Sequence, residues 1–216
     1  MKEKTSPSEC TRCGTCCKKG GPAFHHEDME LIEKGIILIK YLYTIRKGEP
    51  AYDNVRGCLL PVTSDIIKIK SRKNIRSCIF FDERENNCTI YENRPAECRA
   101  MKCWDTQEIE SIYSQNRLTR KELLSDIKGL WELVETHESR CDYEKVGNLV
   151  NLLDERQEDD AARMLGEMLR YDTDIRSLVV EKSSIDPGMT DFLFGQPLTE
   201  TIRRFGLSKS QKINDS

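Results

Sequence analysis

Cys10, Cys13, Cys16 and Cys17 form a CxxCxxCC array. Two-residue spacers let a tight turn bring successive sulfurs to one metal centre, as in four-cysteine zinc sites and in iron-sulfur clusters that a remote cysteine completes. Thiolates are soft donors, which selects those metals over magnesium or calcium. Adjacent Cys16 and Cys17 point in different directions in most backbone conformations, so they serve different centres or one of them is a spare thiol. Cys78, Cys88, Cys98 and Cys103 form a second group. Eight sulfurs suffice for two four-coordinate centres, or for one centre with reactive thiols beside it.

Lys18, Lys19, Arg94, Arg99 and Lys102 lie within a few residues of these cysteines. Positive charge there would lower thiol pKa and offset the negative charge of a cluster; the competing reading is a set of solvated cations on a loop-rich surface. Cys58 and Cys141 are isolated, and such thiols are most often packing residues, although Cys58 stays open as a ligand. His25 and His26 carry imidazoles suited to zinc or iron, but their place just before a helical stretch speaks for capping or surface roles. His137 reads as a helix-end residue and Tyr91 as a core aromatic. Lys68, Lys70, Arg72, Lys73 and Arg76 form a basic patch that reads as a solvated face around a strand rather than a nucleic acid site.

The elements that must position the sulfurs can be read from the spacing of apolar residues. Gly20-Gly21-Pro22 interrupts anything the first array could continue. Glu27-Asp28 open a short helix through Leu31 and Ile32 that ends at Gly35. Residues 36–45 read as a second helix, with strand as the alternative because of the β-branched start. Ile66 to Ile69 reads as a strand. Cys78-Ile79-Phe80-Phe81 and Cys88-Thr89-Ile90-Tyr91, separated by a polar loop, read as a β-hairpin. Proline suits the first turn of a helix, so Arg94-Pro95 predicts a helix that carries Cys98 toward the metal, with Arg94 bonding backbone carbonyls of the hairpin or cluster sulfur.

After residue 105 the pattern is helical throughout. Thr119 and Glu122 make a capping box for a helix ending near His137. Further helices are predicted from Asp142 to Leu153, from about Gln157 to Leu169, around Ile175, Leu178 and Val179, and from Thr199 to Arg204. Phe192, Leu193 and Phe194 are expected to dock on the core, and the tail from Ser208 is polar. The division is therefore a cysteine-rich metal-binding module at 1–105, a helical region at 106–206 and a disordered tail at 207–216.

At 216 residues the chain can bury its own core, so size does not demand disulfides. The net charge of −3 argues against a protein built as a whole to neutralise nucleic acid, although residues 1–105 carry +4 and the remainder −7. No secretory signal and no apolar run of transmembrane length is present. The expectation is a cytoplasmic protein without a membrane association, in which reduced thiols serve metal binding or redox chemistry rather than a disulfide framework. A thioredoxin-like use is disfavoured, because no strand precedes Cys13 and glycines interrupt the helix that should follow.

The array at residues 10–17, together with Cys88-Thr89-Ile90-Tyr91-Glu92-Asn93-Arg94-Pro95-Ala96-Glu97-Cys98-Arg99, resembles the YkgJ-type cysteine cluster family, also called the CxxCxxCC zinc- or iron-chelating family. The resemblance covers roughly residues 9–104. It implies a metal-chelating protein with Cys10, Cys13, Cys16, Cys17, Cys78, Cys88 and Cys98 as ligands and Cys103 as an eighth. A related domain occurs in flagellin lysine N-methylases, which points to methyl transfer, but the helical region carries no such resemblance.

The expected fold is α-rich with a small β-hairpin, a metal-organised module packed on a C-terminal helical bundle. The favoured cofactor is an iron-sulfur cluster, for redox or group-transfer chemistry, because a single closed zinc site needs only four of the thiolates. The alternatives are a non-catalytic zinc module whose helical half binds a protein, or metal trafficking. No dinucleotide fingerprint, phosphate loop or HExxH motif implies a substrate.

Overall fold

A computed structural model describes residues 10–72, 75–154 and 158–205. In chain order the elements are α1 (Met29–Glu33), β1 (Leu42–Ile45), β2 (Pro50–Asp53), β3 (Cys58–Pro61), β4 (Ile66–Ile69), β5 (Phe81–Asp82), β6 (Asn87–Cys88), α2 (Ala96–Ala100) and α3 (Gln107–Ile112). Then follow α4 (Arg120–Leu124), α5 (Leu130–Arg140), α6 (Tyr143–Asp154), α7 (Glu158–Ser183), α8 (Thr190–Phe194) and α9 (Leu198–Thr201). About half of the chain is helical, with small antiparallel strand pairs beside the helices. Among the described residues no helix is long and apolar enough to cross a membrane.

Two compact units divide the chain, one comprising Met1–Leu42 and Ile67–Leu118, the other Tyr43–Ile66 and Thr119–Ser216. In the first, residues 22–24 run antiparallel to β4: Phe24 N donates to Ile67 O at 2.9 Å and Ile69 N to Pro22 O at 3.1 Å. Gly21 is obligatory at this crossing, because any Cβ there would overlap the backbone of Ile69. Phe24, Ile37, Ile67, Ile69, Phe81 and Leu118 are buried in this unit. The predicted hairpin is present but shorter, with Phe81 opposite Cys88 and Asp82 opposite Asn87.

The expected helix over 36–45 is instead a 3-10 turn at Ile39–Tyr41 followed by β1. The β-branched and aromatic run Tyr43-Thr44-Ile45 prefers the extended chain, and Leu42 and Thr44 on one face are both buried.

In the second unit the core gathers Cys141, Tyr143, Val146, Leu149, Ala161, Leu165 and Leu198, and Phe192, Leu193 and Phe194 are buried as the sequence predicts. The Thr119–Glu122 capping box forms, with Thr119 N donating to Glu122 Oε2 at 2.8 Å. The helix it opens stops at Leu124, and Gly129, left-handed at φ +80°, opens α5 separately. The two helices expected between 157 and 179 are one, α7. The polar stretch between them, centred on Asp172, is an internal ion-pair site rather than a break. The hairpin β2–β3, with Asp53 opposite Cys58, was not expected. The predicted tail from residue 207, Lys73 and the proposed helix start at Gln157 lie outside the described residues.

Candidate metal centre

The first cysteine array is wound by a turn in which Lys18 N donates to Gly14 O at 2.9 Å and Lys19 N to Cys16 O at 3.0 Å. Gly14 holds a left-handed φ of +74°, and a methyl group there would overlap the edge of the Phe81 ring. Two more contacts pin the array to the hairpin: Asn86 Nδ2 donates to Arg12 O at 3.1 Å, and Cys78 N donates to Cys17 O at 2.8 Å. Arg72 braces the hairpin from behind, donating to Phe81 O at 2.8 Å.

Cys98 rides on α2, which starts directly after Pro95 as predicted. Its first turn is stitched to residues 23–28 from both sides. The fully buried Asp28 carboxylate accepts from Ala96 N at 2.8 Å and from His25 N at 3.0 Å, while Glu97 accepts from Ala23 N at 2.6 Å. Backbone N–H groups at a helix start have no partner within the helix, so a buried carboxylate there both satisfies and fixes it.

Charge effects among the thiols report which sulfurs share one neighbourhood. Cys16 Sγ lies 4.0 Å from Cys17 Sγ, and the hydrogen bond from Cys17 lowers Cys16 to about 6, with Arg94 contributing. The same bond pushes Cys17 up, reinforced by burial and by Cys16, Cys98 and Cys88. Burial raises Cys98, and Cys78, Cys16 and Cys88 add to it. Burial likewise raises Cys78 and Cys88, the former with Cys88 and Cys16 nearby, the latter with Cys16 and Cys10. The structure thus brings Cys10, Cys16, Cys17, Cys78, Cys88 and Cys98 together from four separate stretches of chain. Exposed Cys13 sits beside Cys16, its thiolate favoured by Thr15 Oγ1 at 3.3 Å. Cys103 is exposed in a turn closed by a bridge between Lys102 and Asp105, past the end of α2. Crowded thiols that resist ionisation because neighbouring thiolates repel are relieved by a cation among them, so this donor set fits a metal.

Other candidates have different surroundings. Cys58, half-buried on β3, and Cys141, fully buried, belong to the second unit. His25 Nδ1 is hydrogen-bonded to Gln115 O at 2.7 Å, its buried Nε2 lies 3.5 Å from Glu97 without a hydrogen bond, and its backbone caps the turn at 26–28. His26 is exposed. Lys68, part of the sequence's basic patch, is desolvated, which lowers its pKa, and faces Glu97. Of the two bonding roles the sequence left open for Arg94, the structure shows the backbone one, Nε donating to Tyr91 O at 2.8 Å, while toward the sulfurs its charge favours the thiolates of Cys16 and Cys88.

Sequence reasoning missed a second set of ligand-type groups. His137, Cys141 and Asp172 are buried with ligand atoms within 4.8 Å of one another. His137 Nε2 lies 2.8 Å from Asp172 Oδ1, and Asp172 also accepts from Arg176 Nε and Leu198 N, each at 3.0 Å. Burial alone would raise Asp172, but His137 and Arg176 hold it at about 2. Burial, with Arg46 and Arg176 adding, lowers His137 to about 4. A carboxylate already in three hydrogen bonds, one of them from the Arg176 guanidinium, with Arg46 adding positive charge near His137 and Cys141, leaves little to attract another cation, so this trio is a structural ion-pair network.

A family model for the CxxCxxCC domain, described as zinc- or iron-chelating, matches residues 9–123. The chain belongs to the CxxCxxCC family. The match takes in every cysteine of the sulfur neighbourhood and runs on through α3 into α4, beyond the two motifs that carry the resemblance in the sequence. Comparison with curated proteins and with solved structures gave no match to this CxxCxxCC protein.

Proposed function

We propose that Cys10, Cys13, Cys16, Cys17, Cys78, Cys88 and Cys98 supply the ligands of this CxxCxxCC protein's metal, with Cys103 as an eighth thiol at the margin, and that the metal is an iron-sulfur cluster. The observation that carries this reading is the convergence of sulfurs from the array, the hairpin and α2 on one neighbourhood. One feature favours a cluster over zinc: more thiolates gather than one closed zinc site takes. When bound, such a cluster supplies electron transfer or group-transfer chemistry.

The chain's own residues divide the work around it. Cys98, Cys78 and Cys88 form the inner, more buried side, and exposed Cys13 and Cys16 form the solvent edge where a reactant would approach. Arg94 offsets thiolate charge, while Asp28 and Glu97 hold α2, and with it Cys98, in place. Because the loops bearing the array are short and carry few apolar residues, metal binding is expected to contribute much of this module's folding free energy.

Anaerobic purification followed by iron, zinc and acid-labile sulfide analysis tests the reading. Iron with matching sulfide and visible absorption is the expected result. Stoichiometric zinc without sulfide would replace it with a non-catalytic structural module.

A further inference from the structure

Beside the sulfur edge, Tyr91 carries two arginines. The Arg94 guanidinium carbon lies 3.6 Å from the ring centroid and that of Arg12 lies 4.0 Å from it. The two cations are therefore no more than about 8 Å apart, within a Debye length at physiological salt. Among the described residues neither guanidinium is paired with a carboxylate: Arg94 spends Nε on Tyr91 O, and the Arg12 guanidinium rests on the ring. Elsewhere in this unit basic side chains do pair, Arg99 with Glu27 and Lys102 with Glu108.

Arg12 is moreover one of the few non-glycine residues with a left-handed backbone, at φ +54°, held there by Asn86 bonding its carbonyl. That conformation is unfavourable for an L-residue and persists only where its surroundings fix it, commonly at functional positions. Here the chain accepts backbone strain and like-charge repulsion together, one residue from Cys13 and with Arg94 near enough to Cys16 for its charge to act there.

We infer that Arg12 and Arg94, both resting on the Tyr91 ring, form a binding site for a small oxyanion, a carboxylate or a phosphate group, at the solvent edge of the sulfur centre. An oxyanion at the ring edge that accepts one hydrogen bond of about 2.8 Å from each guanidinium spans a gap of this size, and charge-assisted bonds to arginine are the strong ones. The site would hold the anionic group of a reactant against Cys13 and Cys16. Its placement beside a metal centre rests on the proposed function; the anion binding itself does not.

The test is titration of the full-length, metal-loaded protein with inorganic phosphate and, separately, with acetate, followed by calorimetry or by NMR of labelled arginine side chains. Saturable binding is expected. Arg12→Gln and Arg94→Gln should each weaken it about tenfold or more, the loss of one charge-assisted hydrogen bond, while Arg84→Gln, an exposed hairpin-loop arginine, should leave it unchanged. The anion bound more tightly identifies the source. Metal content and circular dichroism on the same samples show that each variant is folded, and Arg12→Lys, which keeps the charge but loses the fork, should recover part of the affinity.

Absence of saturable binding of either anion to the metal-loaded wild type overturns the inference, as does binding that survives the double arginine variant. Altered visible absorption in the variants without anion binding in the wild type would mean that the arginines serve only the centre's charge. A protein that carries no metal would count against the proposed function instead, so the two failures are distinguishable.

Discussion

A thiol gives up its proton readily only where something welcomes the negative charge, and within this neighbourhood Cys17, Cys78, Cys88 and Cys98 are all pushed the other way by burial and by one another. Such a set is poorly suited to free nucleophiles and well suited to ligands. Cys98→Ser and Cys13→Ser should therefore each lower bound metal and weaken the first unit, which metal analysis and chelator-competition kinetics would measure; full metal retention by either would remove that residue from the ligand set. Cys141→Ala should keep all the metal and cost about 1 to 2 kcal/mol, the loss of a buried sulfur's packing. At this scale the sequence is informative about the sulfurs, because metal ligands recur at short spacings. It is silent about Asp28 and Glu97, whose bonds reach residues 68 and 74 positions away in the chain. A lone acidic residue near a helix start reads as an ordinary cap until the second element is seen. Arg12 is hidden for a similar reason, since nothing in its type announces a left-handed backbone or a tyrosine 79 positions on.

Elements show where patterning is enough and where it fails. The capping box at Thr119 and the hairpin at 78–91 are short-range signals and both appear in the structure. The long helix α7 reads in the sequence as two segments, and between them Asp172 pairs with Arg176 and takes a hydrogen bond from neutral His137, so the charge is met inside the helix packing. For the unexpected β2–β3 pair, Asp53, Asn54 and Gly57 between Ala51-Tyr52 and Leu59-Leu60 were the available turn signal. The junction between array and hairpin depends on Gly14, and two substitutions separate its backbone role from its packing role. Gly35, also left-handed at φ +66° and in the same unit, has open space where a Cβ would go. Gly35→Ala should cost only the backbone penalty of roughly 1 to 2 kcal/mol. Gly14→Ala should cost more and release metal faster, because its methyl displaces Phe81 and with it the hairpin bearing Cys88. Equal destabilisation in thermal melts, with equal metal retention, would show that Phe81 does not hold the array.

On the scale of the whole molecule, the chain leaves its first unit after Leu42, returns at Ile67 and leaves again after Leu118. Composition alone cannot reveal such an excursion, since a segment's membership is decided by which core its few apolar side chains enter. The two units also draw on different sources of stability. The second has a continuous apolar core built on α6, α7 and α9, whereas under the proposed function the cysteine-bearing loops of the first take their order from the bound metal. Each unit contains one of the two tryptophans, Trp104 in the first and Trp131 in the second, so their responses to metal removal can be read separately. In Trp131→Phe protein, anaerobic chelation should shift Trp104 emission to longer wavelength as its surroundings open to water. In Trp104→Phe protein the emission of Trp131 should hold, along with most of the helical circular dichroism, because α5, α6 and α7 supply most of the helix. Restoring the metal should reverse the Trp104 change. If Trp104 is indifferent to chelation, the first unit folds without its metal and the sulfurs are not its framework. If both tryptophans respond together with loss of helix, the second unit's core does not stand without the first, and the metal stabilises the entire chain.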